Sequence, residues 1–145
     1  MMISILKIVT KTILAIAIIT LLILFAPLPI FVNFTNKVFV KFHYGEKKKI
    51  DNVITDKNDI YELKRLFDGN IGLATGLTEV PSCGFNEGIS LTFQTGVTKV
   101  ILYPGCDTCG KFRIGKSNRY IVLNEQKKAR FYEIIKKYGM TFPCV

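Results

Sequence analysis

The apolar positions of this chain follow three different rhythms. From Ile13 to Val32 they are continuous: ILAIAIITLLILFAPLPIFV contains no charged side chain. A helix of that length, rising about 1.5 Å per residue, matches the ~30 Å hydrocarbon core of a bilayer, so the run predicts an N-terminal transmembrane helix. Lys7 and Lys11 stand before it as in a secretory signal. The stretch Leu24-Phe25-Ala26-Pro27 lacks the small-residue pattern of a cleavage site, so an uncleaved signal-anchor is expected. Pro27 and Pro29 fall near its far end, where a missing N–H is tolerated.

After the run, Asn33 to Lys49 mixes Phe34, Phe39, Phe42 and Tyr44 with lysines. That composition predicts a juxtamembrane linker with rings at the lipid–water boundary and charges at the headgroups, or else an extended stalk. A short strand is expected over Ile50–Ile54. Helical spacing follows: Ile60, Leu63 and Phe67 form one stripe, Thr55 or Asp56 supplies a cap, and Asp68-Gly69-Asn70 a stop. Asp59 and Glu62 read as the exposed acidic first turn, Lys64 and Arg65 as the basic last turn.

Gly72 to Gly88 reads as an irregular crossing. The rhythm then becomes period two, with Ile89, Leu91 and Phe93 alternating with Ser90, Thr92 and Gln94. Thr98–Tyr103, Lys111–Ile114 and Arg119–Leu123 continue as strands across turn-prone PGCDTCG and GKSN. A second helix is expected from Glu125 to Tyr138, capped by Asn124 and ended by Gly139, with Phe131, Ile134, Ile135 and Tyr138 facing the sheet. The predicted fold is therefore α+β: an N-terminal transmembrane helix, then a small domain with a four-stranded antiparallel meander and two helices packed on one face. Its parts are the anchor (1–32), the linker (33–49) and the folded domain (50–145).

Charge adds a partner class. The net charge is +9, and setting Lys7 and Lys11 aside leaves 18 basic against 11 acidic residues, all beyond the apolar run. Lys37, Lys41, Lys47, Lys48 and Lys49 are the candidate contacts to a membrane lipid surface. By the positive-inside rule they favour a cytoplasmic domain. The short basic tail before the apolar run and the cysteines favour the opposite side. A single-pass protein of the cell membrane with an extracytoplasmic domain is the expectation.

Cys83, Cys106, Cys109 and Cys144 carry the most pointed chemistry. An even cysteine count in a small exported domain predicts disulfides, with three possible pairings. Gly105-Cys106-Asp107-Thr108-Cys109-Gly110 between two strands also has the form of a zinc knuckle, which Cys83 and Cys144 would complete as a four-thiolate site. No other metal or cofactor is expected. Thiol–disulfide exchange is the third reading of the C-x-x-C, but a strand follows it rather than the helix that usually activates such a thiol.

Other motifs weigh less. His43, the sole histidine, lies in the linker, so no histidine general base is expected in the domain, and no catalytic set emerges. GKFRIGKS (Gly110–Ser117) fits the phosphate-loop pattern letter for letter, but that loop must open into a helix and here strands flank it. Lys111, Arg113, Lys116 and Arg119 read as a solvated basic face without the aromatic platform that single-stranded nucleic acid requires, so no nucleic-acid partner is expected.

Three segments carry a resemblance: Cys83-Gly84-Phe85, Tyr103-Pro104-Gly105-Cys106-Asp107-Thr108-Cys109, and Lys137-Tyr138-Gly139 with the closing Phe142-Pro143-Cys144. Over residues 50–145 the chain resembles small exported or membrane-anchored four-cysteine proteins of low-GC Gram-positive bacteria. The resemblance implies an extracytoplasmic location and a structural cysteine set, and no activity. The functional expectation is a membrane-anchored, non-enzymatic domain that binds a protein or cell-envelope component. Its alternatives are a membrane-tethered thiol–disulfide oxidoreductase and a cytoplasm-facing zinc docking domain.

Overall fold

The structure is a computed structural model that describes residues 2–25, 28–45, 48–74, 81 and 84–142. Helix α1 (Met2–Phe25) comes first, followed by strands β1 (Leu28–Pro29), β2 (Lys37–Tyr44) and β3 (Lys48–Ile54). Helix α2 (Lys57–Phe67) leads to β4 (Ile71–Ala74), β5 (Ile89–Thr95), β6 (Thr98–Pro104), β7 (Lys111–Ile114), β8 (Arg119–Val122) and helix α3 (Glu125–Lys136). All neighbouring strands pair antiparallel in the order β1-β4-β8-β7-β6-β5-β2-β3, the two-residue β1 extending a sheet of seven strands.

This corrects the expected four-stranded meander. The strands anticipated from period-two alternation, β5 to β8, are adjacent in the middle of a larger sheet. The addition with most consequence is β2, which lies in the stretch expected as a linker. Val38, Val40 and Phe42 are buried while Lys37 and Lys41 are exposed, so an amphipathic strand underlies what reads as a mixed aromatic and basic tract. It pairs with β3 on one side and β5 on the other.

The expected transmembrane helix is also corrected: among the described residues no helix is long and apolar enough to cross a membrane. The reason lies in how the apolar run is divided. Of the described residues of the run, Ile13 to Phe25 lie in α1, about 20 Å at 1.5 Å per residue, and Lys7 and Lys11 fall within the same helix. From Leu28 the chain is a strand, and Ile30 and Val32 are buried in the domain core. The Ile30 N–H donates to Asn70 O at 2.9 Å, and the Asp68 carboxylate accepts from the N–H groups of Val32 and Asn33 at 2.8 and 3.0 Å.

The helices α2 and α3 bury their apolar stripes on the same face of the sheet. Phe67 packs edge-on against Phe93, Phe112 and Phe131 at ring separations of 5.6, 4.9 and 5.7 Å. Leu63, Ile134 and Ile135 fill the space around them. Both caps are as the sequence requires: Asp56 accepts from the N–H groups of Asn58 and Asp59, and Asn124 from Lys127 N–H. At the end of α3, Gly139 adopts φ +85°, the left-handed conformation of a helix C′ residue.

Candidate functional site

The C-x-x-C loop joins β6 to β7. The Gly105 N–H donates to Lys111 O at 2.8 Å, closing the loop at its base, and Thr108 at φ +56° turns the chain between the two cysteines. Cys106 is buried in the core, and its N–H points to Gly84 O at 3.4 Å. Cys109 is half-buried, and its N–H donates to the Asp107 carboxylate at 3.2 Å. Burial, reinforced by the hydrogen bond from its thiol to Asp107, pushes the Cys109 pKa up to about 11. At neutral pH Cys109 is therefore a protonated thiol.

No disulfide joins two described residues, and Cys106 and Cys109 are not bonded to each other. Of the three pairings open to the sequence, the one that links these two is not formed. Cys83 and Cys144 lie outside the described residues. Among those described, no group of three His, Cys, Asp or Glu side chains converges as a metal site would require. Asp107 beside Cys109 favours the protonated thiol, whereas zinc coordination and nucleophilic exchange both need a thiolate.

Beside this loop opens a cleft of about 370 Å³ lined by Thr108, Lys128, Tyr132, Lys136, Met140 and Phe142 among others. Tyr132 stands between the loop and the C-terminal segment. Burial raises its pKa well above the usual phenol range, a backbone hydrogen bond with Gly110 partly opposing it, and its ring lies 5.1 Å from Phe142. Lys128 is tied to Glu125 at 2.7 Å. The cleft is an apolar trough with ammonium groups at its rim, and no nucleophile–base pair lines it.

Of the candidate membrane-contacting lysines, Lys37, Lys41 and Lys49 lie on one face of the paired strands β2 and β3. Lys37 and Lys41 alternate with the core side chains of β2 and project from the face of the sheet away from the helices. Lys41 stands opposite Asp51, and Lys49 opposite His43, whose Nε2 lies 2.8 Å from the Asp51 carboxylate. Lys47 lies outside the described residues, and Lys48 is described only through its backbone in β3. The expected polybasic tract is thus a sheet face interleaved with an acidic residue. The phosphate-loop look-alike is β7 and the turn at Gly115, with β8 rather than a helix beyond it.

Two features escaped the sequence, at Asp59 and at Arg113. Asp59, expected on an exposed first turn, is buried at 5% exposure. Burial alone would raise its pKa, but hydrogen bonds from Lys137 Nζ at 2.9 Å and Tyr138 Oη at 2.8 Å, with the charges of Lys137 and Arg130, hold it below the usual value. Arg113 lies between the rings of Tyr103 and Phe85, 5.0 and 5.7 Å from their centroids, and reaches Glu87 at 3.4 Å, so it is not part of an open basic platform. By contrast, the helix α1 was legible in the sequence by its apolar character. Its described side chains from Val9 to Leu21 are all exposed, including Ile13, Leu14, Ile16, Ile18 and Ile19, while the domain core closes without them.

No protein-family model, curated protein or solved structure matches the chain.

Proposed function

We propose that this protein is a membrane-attached, non-enzymatic binding domain. The observation that carries the reading is the exposed apolar surface of α1 beside a complete core. From Ile13 to Leu21 α1 exposes an uncharged and almost wholly apolar surface, which is stable only when another apolar phase covers it, and lipid is the partner whose chemistry matches that stretch. In this reading α1 buries Ile13, Leu14, Ile16 and Ile19 in the lipid and holds the folded domain at the membrane surface. The extracytoplasmic side is proposed for the domain from its four cysteines and the resemblance they carry. The cleft beside Tyr132, apolar within and cationic at its rim, is the place proposed for a protein or envelope ligand.

Vesicle flotation tests the attachment. The full chain is expected to float with phospholipid vesicles, and Ile16→Glu/Ile19→Glu to remain in the soluble fraction with its domain folded. Equal flotation of the double variant, or a lipid-free oligomer in which α1 is protected, would overturn the reading. Protease shaving of intact cells tests the side, with loss of the domain expected.

A further inference from the structure

The largest apolar exposures in the folded domain are not scattered. Phe31, Phe34 and Val97 are 71%, 80% and 98% exposed. Phe31 and Phe34 share a hollow of about 240 Å³ with Thr95 and Thr98, which flank Val97 at the β5–β6 turn. The Asn36 N–H donates to Gln94 O at 3.3 Å, and the hydroxyls of Thr35 and Thr95 lie 3.5 Å apart, so the segment after β1 is fastened to that turn. Two aromatic rings and an aliphatic tip thus stand at one edge of the domain.

Position along the chain and charge identify what covers this edge. Phe31 follows the end of α1 at Phe25 within about 20 Å of fully extended chain, so a surface that holds α1 lies within reach of the rings. Lys37 and Lys99 both stand opposite Gln94 in neighbouring strands and are exposed on the same face of the sheet beside the turn. On the other side Lys64 Nζ lies 3.5 Å from Thr35 O, and Arg65 stacks over the exposed ring of Tyr61 at 5.7 Å. The acidic groups nearby are engaged: Asp68 by the N–H groups of Val32 and Asn33, Glu62 by Arg65 and Arg130. Apolar tips within a cationic surround match an anionic phospholipid surface, whose acyl boundary accepts the rings and whose phosphates accept the ammonium and guanidinium groups.

We infer that the edge formed by Phe31, Phe34 and Val97 seats the domain on an anionic lipid surface, with Lys37, Lys64, Arg65 and Lys99 at the headgroups. This rests on the proposed attachment through α1 and adds a second, orienting contact. It places the β5–β6 turn at the lipid and leaves the C-x-x-C loop, at the opposite end of β6, directed away from it.

The chain contains no tryptophan, so Phe34→Trp in the full-length protein reports on this edge alone. On vesicles of phosphatidylglycerol and phosphatidylcholine its emission is expected to shift to the blue and to be quenched by acyl-brominated lipid. Tyr44→Trp, at the far end of β2, is expected to do neither. Lys37→Glu/Lys99→Glu should weaken partitioning onto these vesicles by about thirtyfold or more and leave neutral vesicles unaffected. Flotation without quenching of Phe34→Trp would overturn the seating while leaving the attachment intact. Failure to float would remove both. A blue shift without vesicles, in a sample of dimeric mass, would assign the edge to a second copy of the chain and overturn the inference.

Discussion

Asp59 shows how far the setting of one carboxylate departs from what its position suggests. A first-turn aspartate on a helix interacts with the N-terminal dipole in water, but here the end of α3 lies over it and both carboxylate oxygens accept hydrogen bonds, from Lys137 and Tyr138. Removing it leaves two donors without their acceptor and takes away one link between α2 and the end of α3. Asp59→Ala is expected to cost about 2 kcal/mol or more, and Tyr138→Phe about 1 kcal/mol, in urea unfolding. A double-mutant cycle between the two should give a positive coupling, since they share one hydrogen bond. The partners were not legible in the sequence, because 78 residues separate Asp59 from Lys137, although helical spacing sets Asp59 on the buried side of α2, one turn before Leu63 and two before Phe67. By contrast, Phe67, Phe131, Leu63, Ile134 and Ile135 were legible as core, since each lies on an apolar stripe of its own helix.

At the scale of elements, the ends of α2 and α3 are written locally. Asp56 caps α2 through two N–H groups, and Asp56→Ala is expected to cost about 1 kcal/mol. Gly139 ends α3 at φ +85°, where a Cβ would lie 2.8 Å from Ile50 Cδ1. Gly139→Ala therefore combines left-handed strain with a clash against β3 and should cost roughly 1–2 kcal/mol, read by the same unfolding measurement. The helix α1 and strand β2 divide the N-terminal third differently from their composition. Apolarity is continuous from Ile13 to Val32, yet Ile30 and Val32 are core residues of the domain rather than the end of an anchor. In β2 the alternation of Val38, Val40 and Phe42 with polar residues is present, but surrounding aromatics and lysines obscure it. The strand β4 lies in a stretch where Gly69, Gly72 and Gly76 make the chain read as an irregular crossing.

For the whole molecule, the shifted groups define a pH window for stability. Asp59 has a folded pKa below its ordinary value, so its contribution is present above about pH 4 and is lost as pH falls through the folded value. Cys109 and Tyr138 are shifted the other way, to about 11 and about 12, Cys109 by burial and its bond to Asp107 and Tyr138 by burial and its bond to Asp59. Their contributions are intact below the unfolded values of about 8.5 and 10 and disappear as pH rises toward 11 and 12. Thermal unfolding midpoints measured from pH 3 to pH 11 should form a plateau that falls at both ends. Cys109→Ser should flatten the first part of the alkaline fall, and Asp59→Asn the acid fall.

The sequence by itself determined those elements whose information is local. Capping side chains satisfy N–H groups two or three residues away, and amphipathic stripes and alternations are periodic within one helix or strand, so α2, α3 and β5 to β8 follow from short windows. Tertiary structure alone decided which side of β2 meets the core, that Ile30 and Val32 belong to the domain, that Asp59 is buried, that Arg113 is enclosed by rings, and that Phe31 and Phe34 stand beside Val97. Each of these depends on contacts between residues distant in the chain. Burial and pKa are set by what surrounds a side chain, and no local pattern specifies those surroundings.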